Sequence, residues 1–129
     1  MKDYRKIKVW DKSHILVKDL YYATSKYPKE ELFGITSQLR RAGSSIPTNI
    51  AEGCGRGSDA DFRRFLQIAF GSANEVEYLI FLSYELSYLQ KNQFIELDNK
   101  IKEVKKMLSG MIKTISLDIR NSKLKTANG

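Results

Sequence analysis

Between Phe94 and Ile115 the apolar residues fall at Phe94, Leu97, Ile101, Val104, Leu108, Met111 and Ile115, in alternating steps of three and four without a miss. A 3.5-residue repeat of this kind puts one apolar seam along a helix and favours left-handed packing against long helical neighbours. The rest of the chain offers three such neighbours. Residues 11–27 carry Leu16, Leu20, Ala23 and Tyr27 at helical spacing, and Tyr27-Pro28 ends that segment because the residue before proline disfavours helix. A second segment begins at Thr36 or Ser37, either able to cap free N–H groups, with a stripe of Leu39, Ala42, Ile46, Ile50 and Cys54.

Gly53-Cys54-Gly55-Arg56-Gly57 stops that segment. Ser58, with Asp61 three residues on, restarts helix. A third helix is expected over about 59–87, with Phe62, Phe65, Leu66, Ala69, Ala73, Val76, Ile80 and Leu86 on its core face, and the fourth from about Asn92. No stretch alternates as a strand would. Connections of roughly five to nine residues, near the helix–helix range for bundles, favour antiparallel sequential neighbours. The predicted fold is all-α, a single antiparallel up-down-up-down four-helix bundle, with basic arms over about 1–10 and 119–129.

Three features interrupt the pattern. Pro47 lies within the second segment, where it removes a donor and frees the carbonyl of Gly43. A kink is expected there, with Ser44 and Ser45 available to the freed backbone and Thr48, Asn49 and Glu52 presented as a polar cluster. Glu75 and Glu77 interrupt the third helix and read as interhelical partners for arginines. Ile68, Phe70, Tyr78, Phe81 and Tyr88 exceed what one core stripe needs, as do Ile95 and Ile112 on the fourth helix. They are either a wide buried face or a second face that pairs with other copies.

The chemistry-bearing residues are few. Cys54 is the only cysteine and His14 the only histidine, so no internal disulfide, zinc cage or Ser-His-Asp or Cys-His catalysis is expected. Di-iron bundles require Glu-x-x-His pairs, and this chain has none. No apolar run reaches the ~18 residues that span a bilayer, and Met1-Lys2-Asp3-Tyr4-Arg5-Lys6 leads into no signal-peptide stretch. The expectation is a cytoplasmic, cofactor-free protein without enzymatic activity or membrane contact.

Positive charge is in excess, 22 Lys and Arg against 15 Asp and Glu, and it is unevenly placed. In the predicted topology one end of the bundle collects Lys2, Arg5, Lys6, Lys8, Lys12, Arg56, Arg63, Arg64, Arg120, Lys123 and Lys125. Its acids are Asp3, Asp11, Glu52, Asp59, Asp61 and Asp118. The opposite end is acidic, through Glu30, Glu31, Glu85, Glu96 and Asp98. Such a pole attracts polyanions through counterion release, without reading sequence. Tyr4 and Trp10 lie among its bases and could stack on unpaired nucleobases.

Three segments carry a family likeness: Phe33-Gly34-Ile35-Thr36-Ser37-Gln38-Leu39-Arg40-Arg41-Ala42, Ser45-Ile46-Pro47-Thr48-Asn49-Ile50-Ala51-Glu52-Gly53 and Phe62-Arg63-Arg64-Phe65-Leu66. Over about residues 5–117 the chain resembles the 23S rRNA-intervening-sequence proteins, whose superfamily includes the accessory variability determinant of diversity-generating retroelements. The resemblance implies a single bundle assembling as a barrel-like homopentamer, and a reading frame sometimes housed in insertions of large-subunit ribosomal RNA genes. The retroelement relatives bind nucleic acid and a reverse transcriptase through a basic pentamer. Family motif positions carry over as Asn49, Glu52, Gly53 and Arg56. Cys54 stands where a bulky residue is frequent.

Together these readings predict a non-enzymatic homo-oligomer that binds structured nucleic acid, RNA foremost. Arg56, Arg63 and Arg64 are the expected phosphate contacts, with Lys6, Lys8, Arg120 and Lys123, and with Arg40 and Arg41 if their helix face is exposed. Tyr78, Phe81, Phe70 and Ile68 are the expected interface between copies. The alternative is a scaffold for a protein partner, with charge only steering it.

Overall fold

The computed structural model describes residues 2–128. After a 3-10 turn at Tyr4–Lys6 come four helices: α1 (Lys8–Thr24), α2 (Ile35–Cys54), α3 (Asp59–Glu85) and α4 (Lys91–Asn128), with a second 3-10 turn at Lys29–Glu31 between α1 and α2. Each helix lies antiparallel to its sequence neighbour, in keeping with the bonds that cross between helices. Arg40 bonds Thr24 across α1 and α2, Ser45 meets Ser72 across α2 and α3, and Arg63 and Glu77 meet Ser116 and Lys105 across α3 and α4. Lys12–Glu103 and Asp19–Lys100 close the ring between α1 and α4. The predicted four-helix topology is the observed one.

The core is built mainly from the stripes read from the sequence, joined by Val9, Ile35, Leu79 and Leu89, while Phe94 and Met111 of the fourth stripe are only half-buried. Leu16, Leu20, Leu39, Ile46, Ile50, Leu66, Ile80, Ile101 and Leu108 are essentially solvent-free. At about 25 cal/mol per Å² of apolar surface removed from water, this shared burial dominates the stability of the bundle. Helix packing is closest at two glycines. A Cβ on Gly43 would stand 2.7 Å from Leu20 Cδ1, and one on Gly53 would stand 2.8 Å from Phe62 Cδ1 and 2.9 Å from Phe65 Cβ. Glycine at these two positions sets how near α1 and α3 come to α2.

Several boundaries differ from the expectation. α1 starts at Lys8 and ends at Thr24, and Tyr27 is buried from the turn beyond it. Gly34 rather than Thr36 or Ser37 precedes α2, and no side chain caps it; the Thr36 hydroxyl is buried inside the first turn. Ser58 does cap α3, accepting from the Asp61 N–H at 3.2 Å. Leu86 is exposed because α3 closes at Glu85 and leaves it in the turn.

α2 runs through Pro47, which is buried. Ser44 donates to the carbonyls of Arg40 and Arg41 and not to the freed Gly43 carbonyl, since a serine hydroxyl most easily reaches back three or four residues.

Among the described residues neither predicted arm is loose chain. The Lys2 N–H donates to the Cys54 carbonyl at 3.1 Å, Val9 is buried, and Tyr4, Ile7 and Trp10 pack against the core. At the other end α4 stays helical through Asn128, 38 residues in all. The heptad positions after Ile115 are Asp118, Ser122 and Lys125, so the core signal stops there. The helix continues because nothing from Met111 onward breaks it. At 1.5 Å per residue α4 is about 57 Å long against about 40 Å for α3.

Candidate nucleic-acid interface

The turn between α2 and α3 is the centre of the basic pole. Phe65, anchored in the α2–α3 contact, receives two guanidinium groups: Arg56 lies 4.8 Å and Arg64 4.6 Å from its ring centroid. One aromatic ring thus holds two like charges in one neighbourhood, a placement that an anion would relieve. Asp61 stands 3.6 Å from Arg64 and partly offsets it. Lys2 reaches over the same turn, 4.9 Å from the Phe62 ring and 4.0 Å from Asp59.

Arg63 points along α4, donating from Nη1 to Ser116 Oγ at 3.2 Å. It shares with Arg120 and Lys123 a groove of about 570 Å³ floored by Ile119, Leu124 and Ala127. Lys8 lines a second groove, of about 610 Å³, with Lys2, Ile7, Phe62, Met107, Met111 and Asp118. Lys6 is exposed in the turn before α1. Among the described residues Lys6, Lys8, Arg56, Arg63, Arg120 and Lys123 form no ion pair with a carboxylate. Lys2, the glycine-rich turn and the Arg120–Lys123 stretch of α4 lie at one pole.

Arg40 and Arg41 are not part of it. Arg40 donates from Nε to Thr24 Oγ1 at 2.9 Å and lies 4.7 Å from the Tyr21 ring, near the far end of the bundle. It is about 20 Å along the axis from the end of α2. Arg41 is exposed beside it. Their position one turn into α2 decides this, since α2 ends, and does not begin, at the basic pole.

Tyr4 and Trp10 are likewise not free for stacking. Their rings meet edge-on at 4.9 Å, and Trp10 stacks on the exposed His14 at 5.1 Å. Glu77 pairs with Lys105 at 2.9 Å, not with an arginine, because the antiparallel register puts a lysine opposite it.

Two of the four family motif positions, Asn49 and Gly53, hold the helices together. Asn49 donates from Nδ2 to the Ser45 carbonyl at 2.8 Å and to Ser45 Oγ at 2.9 Å, and Ser45 in turn shares a hydrogen bond with Ser72 on α3. Gly53 admits Phe62 and Phe65. Cys54 is buried, and that burial pushes its thiol pKa up, which disfavours the reactive thiolate.

Of the apolar surplus, Ile68, Tyr78 and Phe81 are exposed, Tyr78 at 59 %. Phe70 is half-buried with Lys105 over its ring, so it is not an open surface. Among the described residues the most exposed apolar side chain is one the periodicity never marked: Phe33, 94 % exposed in the turn before α2, beside exposed Leu32. Its signal was local, two large apolar residues in a loop.

An antiparallel four-helix bundle whose basic end is only partly offset by Asp59 and Asp61 defines a small all-helical protein. No group of three or more His, Cys, Asp or Glu side chains is placed to hold a metal ion, and no helix is long and apolar enough to cross a membrane, both among the described residues. The chain belongs to the 23S rRNA-intervening sequence protein family, whose model matches residues 5–110. It is similar to a solved structure from Bacteroides thetaiotaomicron, a protein of unknown function from the S23 ribosomal protein family. The two are 33% identical, the match covers 81% of this chain and 98% of that one, and the TM-score is 0.72. No curated protein matches the chain significantly.

Proposed function

We propose that this protein is a non-enzymatic, homo-oligomeric nucleic-acid-binding protein that grips structured RNA by its phosphates through the basic pole. The observation that carries the reading is the convergence of Arg56, Arg63, Arg120 and Lys123 on one end, none neutralised by a carboxylate among the described residues. Guanidinium groups suit this role because their forked donors match phosphate oxygens. The contacts are to backbone and not to base edges, so affinity is largely indifferent to sequence. The family's description refers to sequences intervening in 23S ribosomal RNA, and the Bacteroides neighbour is assigned to a ribosomal protein family. Both are RNA contexts.

Side-by-side assembly would add the pole of each copy to one surface, and exposed Tyr78, Phe81 and Ile68 are the candidate interface, with five copies the number the family resemblance implies. The protein acts in the cytoplasm on this reading. The test is fluorescence anisotropy with a structured RNA across a salt series. About five phosphate contacts give a slope near −4 in log affinity against log salt. A flat salt dependence, or no binding at low salt, overturns the reading.

One observation favours a second reading, a scaffold for a protein partner: Phe33 and Leu32 stand exposed at the pole opposite the basic one. A partner retained in fixed stoichiometry after nuclease digestion, and released by Phe33→Ser, would support it.

A further inference from the structure

Among the described residues the last turns of α4 have no helix opposite them. Arg63 faces Ser116, so in the antiparallel register the first residue of α3, Asp59, falls opposite Arg120, and the helix from Asn121 onward extends past the bundle. Ser116, Ile119, Arg120, Lys123, Leu124 and Ala127 recur at steps of three, one, three, one and three, so they share one side of this extension. That side lines the groove closed by Arg63. Its volume is of the size that takes a small organic group.

We propose that this groove takes an unpaired nucleotide, its phosphate on Arg63, Arg120 and Lys123 and its base against Ile119, Leu124 and Ala127. The inference rests on the nucleic-acid reading above and adds which strand feature the pole selects. Cations alone would serve any polyanion. The apolar floor is what discriminates, because Leu124 is 53 % exposed and gains only from a ligand that covers it. A duplex offers phosphates with its bases stacked inside, so it leaves the floor wet. A splayed-out base covers it, and an arginine guanidinium plane adds a stacking face. Among the described residues no aromatic side chain lines the groove, so the base contribution belongs at the low end of the range for single-strand stacking. Strand ends, bulges and loops of a structured RNA are the features that present such a base.

The experiment compares three fluorescein-labelled probes on the full chain at low salt: oligothymidylate, an abasic strand of the same length and phosphate count, and a blunt-ended hairpin duplex. The expected result is an affinity for oligothymidylate at least about fivefold above that for the abasic strand. Leu124→Ser, checked for unchanged helicity by circular dichroism, brings the two together. Equal affinity for base-bearing and abasic strands, or a preference for the duplex, overturns this inference while leaving the phosphate-binding reading intact. Failure of all three probes overturns both. Binding to phosphatidylserine vesicles without binding to any probe assigns the groove to a lipid surface and also overturns both.

Discussion

Arg63 Nη1 and Ser116 Oγ meet at 3.2 Å although 53 positions separate them in the chain. The bond reports the register that the buried stripes of α3 and α4 impose, a register that puts Arg63 in the same groove as Arg120 and Lys123. The pole is a consequence of helix register. A one-turn slip would move these charges by about 5 Å and disperse them.

The cations of the pole and those of the far end separate experimentally. Arg56→Gln combined with Arg64→Gln should make the dependence of log affinity on log salt shallower, by about one for each phosphate that an arginine no longer neutralises. Arg41→Gln, at the other end of α2, should leave it unchanged. Anisotropy titrations at several salt concentrations make the comparison, and an Arg41 effect equal to that of the pair would move the interface elsewhere.

Two glycines in helices should respond in opposite directions. Gly53→Ala drives a methyl group into Phe62 and Phe65 and should cost about 1–3 kcal/mol of stability by overpacking. Gly71→Ala, exposed in α3 with nothing within 4 Å of the added carbon, should gain about 0.5–1 kcal/mol from helix propensity. Urea denaturation monitored by circular dichroism measures both. A gain for Gly53→Ala would contradict the close approach of α2 to α3.

Alkaline pH should destabilise the bundle. Burial pushes the Tyr27 phenol above its ordinary value of 10.0. The hydrogen bond to the Glu31 carboxylate raises Tyr88, and the one to Asp19 raises the Lys100 ammonium. A raised folded-state pKa means that the fold prefers the protonated form. The associated stability is complete below the unfolded value and disappears as pH climbs through the folded one. Urea midpoints should therefore fall above about pH 10, less steeply in Tyr27→Phe. A midpoint that holds or rises there would refute the assignment.

Tyr78→Glu should reduce the mass measured by light scattering, with helicity retained, because Tyr78 lies on the outer face of α3. It is a cleaner probe than Phe81, whose ring rests against Phe94 at 6.4 Å. An unchanged mass would remove Tyr78 from any interface between copies.

The bundle was legible in the sequence to the level of its stripes. Leu39, Ala42, Ile46, Ile50 and Cys54 are all buried as their spacing predicts, and so are Leu97, Ile101, Val104, Leu108 and Ile115. Ser58 caps α3 as its place before Asp61 predicts. Periodicity is a strong signal because each helix buries one face, and every residue on that face reports the same geometry. That Arg56, Arg63 and Arg64 share an end of the bundle with Lys2 and Arg120 follows from the up-down topology.

Other features depended on contacts between elements. Tyr4 and Trp10 are aromatic residues among lysines in the sequence, yet in the fold they belong to the core margin. The freedom of Arg40 was conditional on a helix face that the sequence leaves open, and its bond to Thr24 settles its place. The last ten residues have an arm's composition, yet α4 carries its helical backbone through Asn128. Local composition thus determined four helices, their buried faces and a charged end, because spacing and charge are properties of single segments. Tertiary structure decided which side chains stay available, because availability is a relation between segments: Phe65 gathers Arg56 and Arg64, the register of α3 against α4 builds the groove at Arg63, and the reach of α4 beyond its neighbours leaves Leu124 uncovered.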